Sequence, residues 1–129
     1  MMKSIYLLVS HGTKDAEGKK SFELLLKRFE EAFPARKVQG CFLEMQEPSL
    51  SKAMDKCLIQ GAQEIFILPL MFFPGRHVKE DIPKIIEQAK GKYPQVDFHL
   101  SSPLGEHALL IKILDQKIKE MHRHARRSS

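Results

Sequence analysis

Residues 65–83 have the sequence IFILPLMFFPGRHVKEDIP, which contains the clearest fold signal in the chain. Its first four residues, 65–68, are apolar and predict a buried strand of the kind found in parallel sheets. Residues 70–73 are also apolar, but they lie between Pro69 and Pro74, which lack the backbone donors that a central strand requires. The pattern therefore predicts a strand, an apolar loop and then an amphipathic helix.

The end of that loop carries a histidine. Gly75 can adopt backbone conformations that other residues avoid, and His77 follows two positions later. The apolar residues of the next segment share one helical face, and they are Ile82, Ile85, Ile86 and Ala89. We expect His77 at the mouth of a strand-to-helix crossover, where open α/β sheets bind ligands.

The rest of the chain repeats the strand-then-helix pattern. Further strands are predicted at residues 5–9, 38–43 and 96–100, and the last helix is predicted at about 106–121. In the first helix the apolar residues that recur at helical spacing are Phe22, Leu25, Leu26, Phe29 and Phe33. In the last helix the residues predicted to face inward are Leu110, Ile113, Leu114 and Ile118. Four such units predict an α/β fold, a four-stranded parallel sheet with helices on both faces. So small a sheet is expected to need a partner at one edge or face.

Length and composition favour a single soluble domain. A chain of 129 residues can bury a substantial core, and it has no apolar run near the roughly 20 residues of a membrane span. The N-terminus has no signal-peptide layout, so we expect a cytoplasmic protein that does not bind a membrane. Cys41 and Cys57 fit reduced core thiols better than a disulfide or a zinc site.

The net charge of +5 is concentrated at the C-terminus. Residues 122–129 contain three arginines and no acids, which leaves 18 basic and 16 acidic residues, or +2, in residues 1–121. We therefore expect one domain at 1–121 and a basic, disordered tail at 122–129, with no nucleic-acid partner.

Three candidate metal ligands follow three different strands. His11, Glu44 and His77 each lie in a loop after a predicted strand, and such loops gather at one edge of a parallel sheet. Two imidazoles and a carboxylate suit cobalt, nickel, iron or zinc and leave coordination positions open. For Glu44 there is an alternative, because a carboxylate before a helix that starts at Pro48 can simply favour the helix dipole. His99 and His107 are expected to be surface or capping residues.

The side chains around these ligands also have two interpretations. The apolar residues 70–73 can offer a surface to a flat apolar ring, or they can plug the core below the loop. Lys14, Arg76 and Lys79 flank the two histidines and can pair with substrate carboxylates, or they can be solvated charges.

Three segments together resemble a known family. LLVSHGT at 7–13, FLEMQEPSL at 42–50 and LPLMFFPGRHVKEDIP at 68–83 resemble the small sirohydrochlorin cobaltochelatases and the related ferrochelatases. The resemblance implies a chelatase-like three-layer α/β fold. It also implies a lyase that inserts Co²⁺ or Fe²⁺ into sirohydrochlorin without nucleotide hydrolysis, in cobalamin or siroheme biosynthesis. The larger relatives contain two β/α units, and the short forms that this sequence resembles act as homodimers.

The resemblance also assigns the site. His11 and His77 match the metal-binding and catalytic histidines of the family, and Glu44 stands where many members carry an acid. Histidine can hold a metal or accept a pyrrole proton at neutral pH, and a carboxylate can accept the second proton. The residues expected to bind the tetrapyrrole are Ser10, Lys14, Phe72, Phe73, Gly75 and Arg76.

Two other functions fit parts of the sequence. A phosphatase with a histidine nucleophile would place an arginine before the histidine, where this chain has Ser10. A metal-delivery protein would use the same histidines without holding a tetrapyrrole. Nucleotide binding is not expected, because neither a P-loop nor a G-x-G-x-x-G motif occurs.

Overall fold

The computed structural model describes residues 2–128, apart from the side chains of His77 and Ser128. Its strands are β1 (Ser4–Ser10), β2 (Val38–Phe42), β3 (Glu64–Pro69) and β4 (Asp97–Leu100). Its helices are α1 (Ala16–Ala32), α2 (Leu50–Ile59), α3 (Ile82–Lys92) and α4 (Leu109–Ser128). A π-helical turn (His77–Asp81) precedes α3, and a 3₁₀ turn (Leu104–Glu106) precedes α4.

The four strands form one parallel sheet, as predicted, and their order in the sheet is β2-β1-β3-β4. Tyr6 of β1 is in register with Val38 of β2 on one side and with Phe66 of β3 on the other. The chain therefore runs from β1 to β2 at one edge of the sheet. It then crosses back over β1 to β3 and continues to β4 at the other edge. Such a reversal opens a crevice at the carboxyl ends of the two strands, here β1 and β3.

One face of the sheet carries the larger core. Alternate residues of the strands, such as Leu7, Val9 and Ile67, are fully buried there against α2 and α3. Ser49 caps α2 by accepting a hydrogen bond from the backbone N–H of Lys52 at 3.2 Å. From α3 this core takes the predicted residues Ile82, Ile86 and Ala89, with Ile85 at its margin.

The opposite face is covered by α1, and only in part. Phe22 is buried there and meets Phe42 edge to face, with ring centroids 5.2 Å apart. Two residues of the apolar set with helical spacing are exposed: Leu25 by 43% and Phe33 by 51%. Phe33 ends the helix and packs on Phe29, so it lies at the end of α1 and not beneath it.

The last helix also differs from the prediction. Ile113, Leu114 and Ile118 were predicted to face inward, but each is about half exposed. The apolar stripe exists, but α4 makes its contacts at the preceding 3₁₀ turn and does not lie on the sheet. The helix also continues to Ser128, through the segment that was expected to be a disordered tail.

Both cysteines are free and buried, as the sequence analysis expected. Burial raises the pKa of Cys41 to about 12 and that of Cys57 to about 11. Among the described residues, no helix is both long enough and apolar enough to span a bilayer.

Candidate functional site

The loops after β1 and β2 are joined by backbone hydrogen bonds beyond the ends of the strands. The N–H of Leu43 donates to the carbonyl oxygen of Ser10 at 3.0 Å, and the N–H of Glu44 donates to that of His11 at 3.2 Å. These two bonds extend the parallel pairing by one step past the sheet. They hold the backbones of His11 and Glu44 side by side.

The side chains of this pair meet directly. Nε2 of His11 lies 2.7 Å from Oε1 of Glu44, and each side chain is a little under half exposed, at 44% and 45%. Since a carboxylate only accepts hydrogen bonds, Nε2 carries the proton in this contact. The structure thus brings together two of the three predicted ligands, where solvent and a substrate can reach them.

Gly12 makes the close approach of the two loops possible. Its φ is +104°, in the left-handed region that other residues rarely adopt, and a Cβ here would overlap the carbonyl oxygen of Glu44. A glycine is therefore required next to His11 for both conformational and steric reasons.

Gln46 is a supporting residue that the sequence analysis did not single out. Its Oε1 accepts a hydrogen bond from the backbone N–H of Thr13 at 3.0 Å, and its own N–H donates to the carbonyl of Glu44 at 2.9 Å. Met45, between them, has a φ of +70°, so the loop that presents Glu44 is a tight turn. A single glutamine in a loop carries no pattern that would have revealed this role.

The apolar loop leaves the sheet next to β1. The N–H of Leu70 donates to the carbonyl oxygen of Val9 at 2.8 Å, two residues before His11. Leu70 packs on the α1 side of the core, whereas Phe72 and Phe73 are exposed by 57% and 74%. The start of the loop therefore plugs the core, whereas its two phenylalanines are open to solvent.

The 3₁₀ turn before α4 holds the backbone of the loop that carries Phe72 and Phe73. The N–H of Gly105 donates to the carbonyl oxygen of Phe72 at 2.6 Å, and a Cβ at Gly105 would overlap that oxygen. Gly105 is thus a second supporting residue that the sequence analysis did not assign to the site.

His77 is the first residue of the π-helical turn, and its side chain lies outside the described residues. The next residue, Val78, is buried and anchors the turn, and the N–H of Lys79 donates to the carbonyl of Gly75 at 3.0 Å. The backbone of His77 therefore sits at the end of the loop that follows β3, the strand beside β1, as predicted. π-Helical turns occur frequently at functional sites.

The other predicted substrate-binding residues lie around this edge. Ser10 is half-buried at the end of β1, and Lys14 and Gly75 are exposed. Nε of Arg76 lies 3.4 Å from Oε2 of Glu80, and the Arg76 side chain is 82% exposed, so it can turn toward a bound anion at little cost.

Two other histidines lie away from this pair. Nδ1 of His107 accepts a hydrogen bond from the backbone N–H of Leu109 at 3.1 Å, which makes it the capping residue that was expected. His99 is in β4, where its ring stacks on Phe66. Among the described side chains, no group of three or more His, Cys, Asp and Glu is arranged to hold a metal ion. His11 and Glu44 are therefore the two candidate metal-binding side chains whose positions are described at this edge of the sheet.

Two relatives show what the chain is similar to. It is 38% identical over 120 residues to a sirohydrochlorin cobaltochelatase from Priestia megaterium, a match that covers 92% of this chain and 38% of the relative. It is 32% identical over 125 residues to a sirohydrochlorin cobaltochelatase from Sulfurisphaera tokodaii, covering 95% of this chain and 97% of the relative. The chain spans about half or less of the length of the first curated relatives that it matches.

A solved structure has the same fold. The crystal structure of the sirohydrochlorin chelatase SirB from Bacillus subtilis subspecies spizizenii in complex with cobalt superposes with a TM-score of 0.83 at 28% identity. The match covers 92% of this chain and 51% of that one. The family model described as CbiX matches residues 5–121, which include His11, Glu44 and the π-helical turn. The chain therefore belongs to the CbiX family.

Proposed function

We propose that this chain is a sirohydrochlorin chelatase, a lyase that inserts Co²⁺ or Fe²⁺ into sirohydrochlorin without nucleotide hydrolysis. The observation that carries the proposal is the contact of 2.7 Å between His11 and Glu44, at the same edge of the sheet as the loop that carries the exposed rings of Phe72 and Phe73. Together these side chains can provide metal ligands, a proton acceptor and an apolar surface for the ring of one substrate. The names of the relatives support the same reaction.

The His11–Glu44 pair has the spacing that a shared metal ion needs. With metal–ligand bonds of about 2.0–2.2 Å, neighbouring ligand atoms lie about 2.8–3.6 Å apart in octahedral or tetrahedral sites. Nε2 and Oε1 would move apart by less than about 1 Å once a metal ion replaces the proton between them. We assign His77 as the third ligand, from the neighbouring loop.

A chelatase must also release its metal. A dedicated metal site surrounds the ion with a full set of ligands, whereas three protein ligands leave positions open for water and for the incoming ring nitrogens. Partial exposure of His11 and Glu44 allows the hydrated ion to enter and the metallated product to leave.

Insertion also removes two protons from the pyrrole nitrogens. Once the ion has passed to the ring, His11 and Glu44 are again available as bases at that position, and each can accept one proton. Glu44 thus changes between ligand and base within one turnover. The exposed faces of Phe72 and Phe73 provide a surface on which the macrocycle can lie.

The charged rim suits a substrate with many carboxylates. Lys14, Lys79 and Arg76 are exposed near the apolar loop, and Arg76 can exchange its partner Glu80 for a ring carboxylate. Ser10 and Gly75 complete the proposed substrate contacts. We further propose that the protein acts in the cytoplasm, a reducing compartment in which the free thiols of Cys41 and Cys57 are stable. We also propose that it acts as a homodimer.

The test is an anaerobic incubation of the protein with sirohydrochlorin and either Co²⁺ or Fe²⁺, followed by visible absorbance. Conversion of the free-base spectrum to that of the metal complex is expected at a rate well above that of the reaction without protein. Tight binding of the metal alone, with no accelerated insertion, would instead identify a metal-delivery protein. Hydrolysis of a phosphomonoester would instead support the alternative function, a phosphatase with a histidine nucleophile.

A further inference from the structure

Met45 has two unusual features for a residue beside the candidate site. Its side chain is large and apolar but 59% exposed, and its φ is +70°. No other non-glycine residue in the described part of the chain has a positive φ. The N–H of Gln46 donates to the carbonyl oxygen of Glu44 at 2.9 Å, across Met45 alone. A hydrogen bond of this span around a residue with positive φ forms a γ-turn of the rare, strained type.

The γ-turn is held in this conformation from both sides. On one side, the N–H of Glu44 donates to the carbonyl oxygen of His11 at 3.2 Å. On the other side, Oε1 of Gln46 accepts from the N–H of Thr13 at 3.0 Å. Both contacts tie the residues next to Met45 to the loop after β1. The strain at Met45 therefore accompanies the contacts that place Glu44 beside His11.

The fold gives no reason for a large side chain at this position. Glycine would adopt a positive φ without strain, but position 45 carries a methionine. Its side chain adds little stability by burial, since Met45 is exposed and is part of neither core among the described residues. Strained residues of this kind cluster at functional sites. The side chain of Met45 is therefore a candidate for a functional contact.

The strand order places Met45 across from the apolar loop. β1 lies between β2 and β3, so the loop that carries His11 lies between the loops that follow those two strands. Met45 is in the first of these loops, and Phe72 and Phe73 are in the second. Neighbouring strands are about 4.8 Å apart, which separates the two outer loops by about 10 Å at the sheet edge. A tetrapyrrole core is about as wide as this separation.

We propose that Met45 is a substrate-contacting residue whose side chain packs on the tetrapyrrole, on the other side of His11 from Phe72 and Phe73. The inference rests on the proposed chelatase function and adds a residue to its substrate site. Methionine suits the contact because its flexible, polarizable thioether adapts to irregular surfaces and packs favourably on aromatic rings. The rigid turn fixes where the side chain begins, and its free rotations allow it to follow the ring as the ring bends to accept a metal ion.

This contact would link ring binding to the metal site. A ring held between the two outer loops lies over the loop after β1, where Nε2 of His11 meets Oε1 of Glu44. Because Glu44 directly precedes Met45, one rigid turn would position both the base and the ring. Loss of the Met45 side chain should therefore weaken ring binding and leave binding of the metal ion intact.

Binding of metal-free sirohydrochlorin to Met45→Ala tests the contact. The variant keeps the Cβ, and with it the backbone strain, so only the outer part of the side chain is lost. Titration followed by visible absorbance should give a Kd about tenfold above that of the wild type, as expected when several apolar groups lose their burial. Ile59→Ala is the matched control, because Ile59 is 86% exposed and lies at the end of α2, away from the site. Its Kd should stay within about twofold of the wild type.

Two further measurements separate a ring contact from an effect on Glu44. The Kd of Met45→Ala for Co²⁺ alone should stay within about twofold of the wild type, whereas a thioether bound to the metal or a displaced Glu44 would raise it. Met45→Gly should melt at a higher temperature than the wild type because it relieves the strain, and it should bind sirohydrochlorin as weakly as Met45→Ala.

The results that overturn the inference differ from those that overturn the proposed function. If the wild type inserts the metal and Met45→Ala binds sirohydrochlorin equally well, the function stands and the Met45 contact is wrong. A raised Kd for Co²⁺ in Met45→Ala, or wild-type binding of sirohydrochlorin by Met45→Gly, also excludes the contact. A wild-type protein that neither binds nor metallates sirohydrochlorin overturns both.

Discussion

Glu44→Gln separates the carboxylate's charge from its place in the structure. The amide keeps the size of the side chain and can still contact Nε2 of His11, but it cannot accept a pyrrole proton or balance a dication. We expect metal insertion to slow by about 100-fold, within the range for loss of a general base. Glu47→Gln is the matched control, because that carboxylate is in the same loop and contacts Lys52 at 3.3 Å instead of His11. Equal rates in the two variants would exclude a role for Glu44 in the reaction.

His11 and His77 are predicted to act as one unit. His11→Ala and His77→Ala should each abolish most insertion without unfolding the protein, since His11 lies on a loop and His77 begins the short turn before α3, outside the sheet and the four main helices. The double variant should be hardly slower than either single one, because groups that act together are strongly non-additive. His107→Ala, which removes only a cap of α4, should retain most of the activity. Two losses that multiply in the double variant would rule out a shared metal ion.

At the level of the elements, Gly12 determines how closely the loops after β1 and β2 approach. Gly12→Ala would place a methyl group on the carbonyl oxygen of Glu44 and strain a backbone with φ of +104°, at a cost of about 1–3 kcal/mol. We expect both a lower melting temperature and at least a tenfold loss of insertion. Gly91→Ala in α3 meets no atom within 4 Å and should be neutral or slightly stabilising in the same thermal denaturation.

Gly105 has the corresponding role for the apolar loop. Gly105→Ala would push the 3₁₀ turn away from the carbonyl of Phe72 and loosen the surface that Phe72 and Phe73 form. We expect a higher KM for sirohydrochlorin and a lower melting temperature. Gly75→Ala, which meets nothing within 4 Å, should leave the melting temperature unchanged. If both variants melt alike, the contact between Gly105 and Phe72 does not hold the loop.

The end of α4 is expected to be dispensable. Deletion of residues 122–129 removes basic residues and a single apolar one, Ala125, and leaves the large residues of the apolar stripe in place. Insertion rates should therefore stay within about twofold of the full-length protein, as is usual for chain ends. A tenfold loss in the same absorbance assay would assign these residues a functional role.

For the molecule as a whole, the two buried thiols make the free energy of unfolding depend on pH. The pKa values of Cys41 and Cys57 are raised to about 12 and about 11 from the ordinary 9.0, so the folded chain holds both protons more tightly than the unfolded chain. The stability that they contribute is present below pH 9 and is lost as the pH rises toward 11–12. We expect the free energy of unfolding to fall less steeply above pH 9 in Cys41→Ala than in the wild type. Identical slopes in denaturant titrations between pH 9 and 10.5 would contradict this.

Much of the fold follows from local patterns in the sequence. Apolar runs of strand length alternate with helical periodicity, and prolines or glycines mark the ends, so each element could be assigned from its own residues. Because parallel strands bring their following loops to one edge, the positions of His11, Glu44 and His77 on that edge could be predicted too. The same periodicity could not show that Leu25 is exposed, since it reports which side of a helix is apolar and not what covers it.

Residue patterns along the chain were enough to predict the strand–helix alternation, the parallel sheet and the edge at which the candidate ligands gather. The three-dimensional structure was needed to show that β1 lies between β2 and β3, that Gly12 and Gln46 hold His11 against Glu44 at 2.7 Å, and that α4 does not lie on the sheet. The reason is the range of the interactions: strand and helix signals depend on neighbours along the chain, whereas strand order and loop contacts depend on residues far apart in sequence.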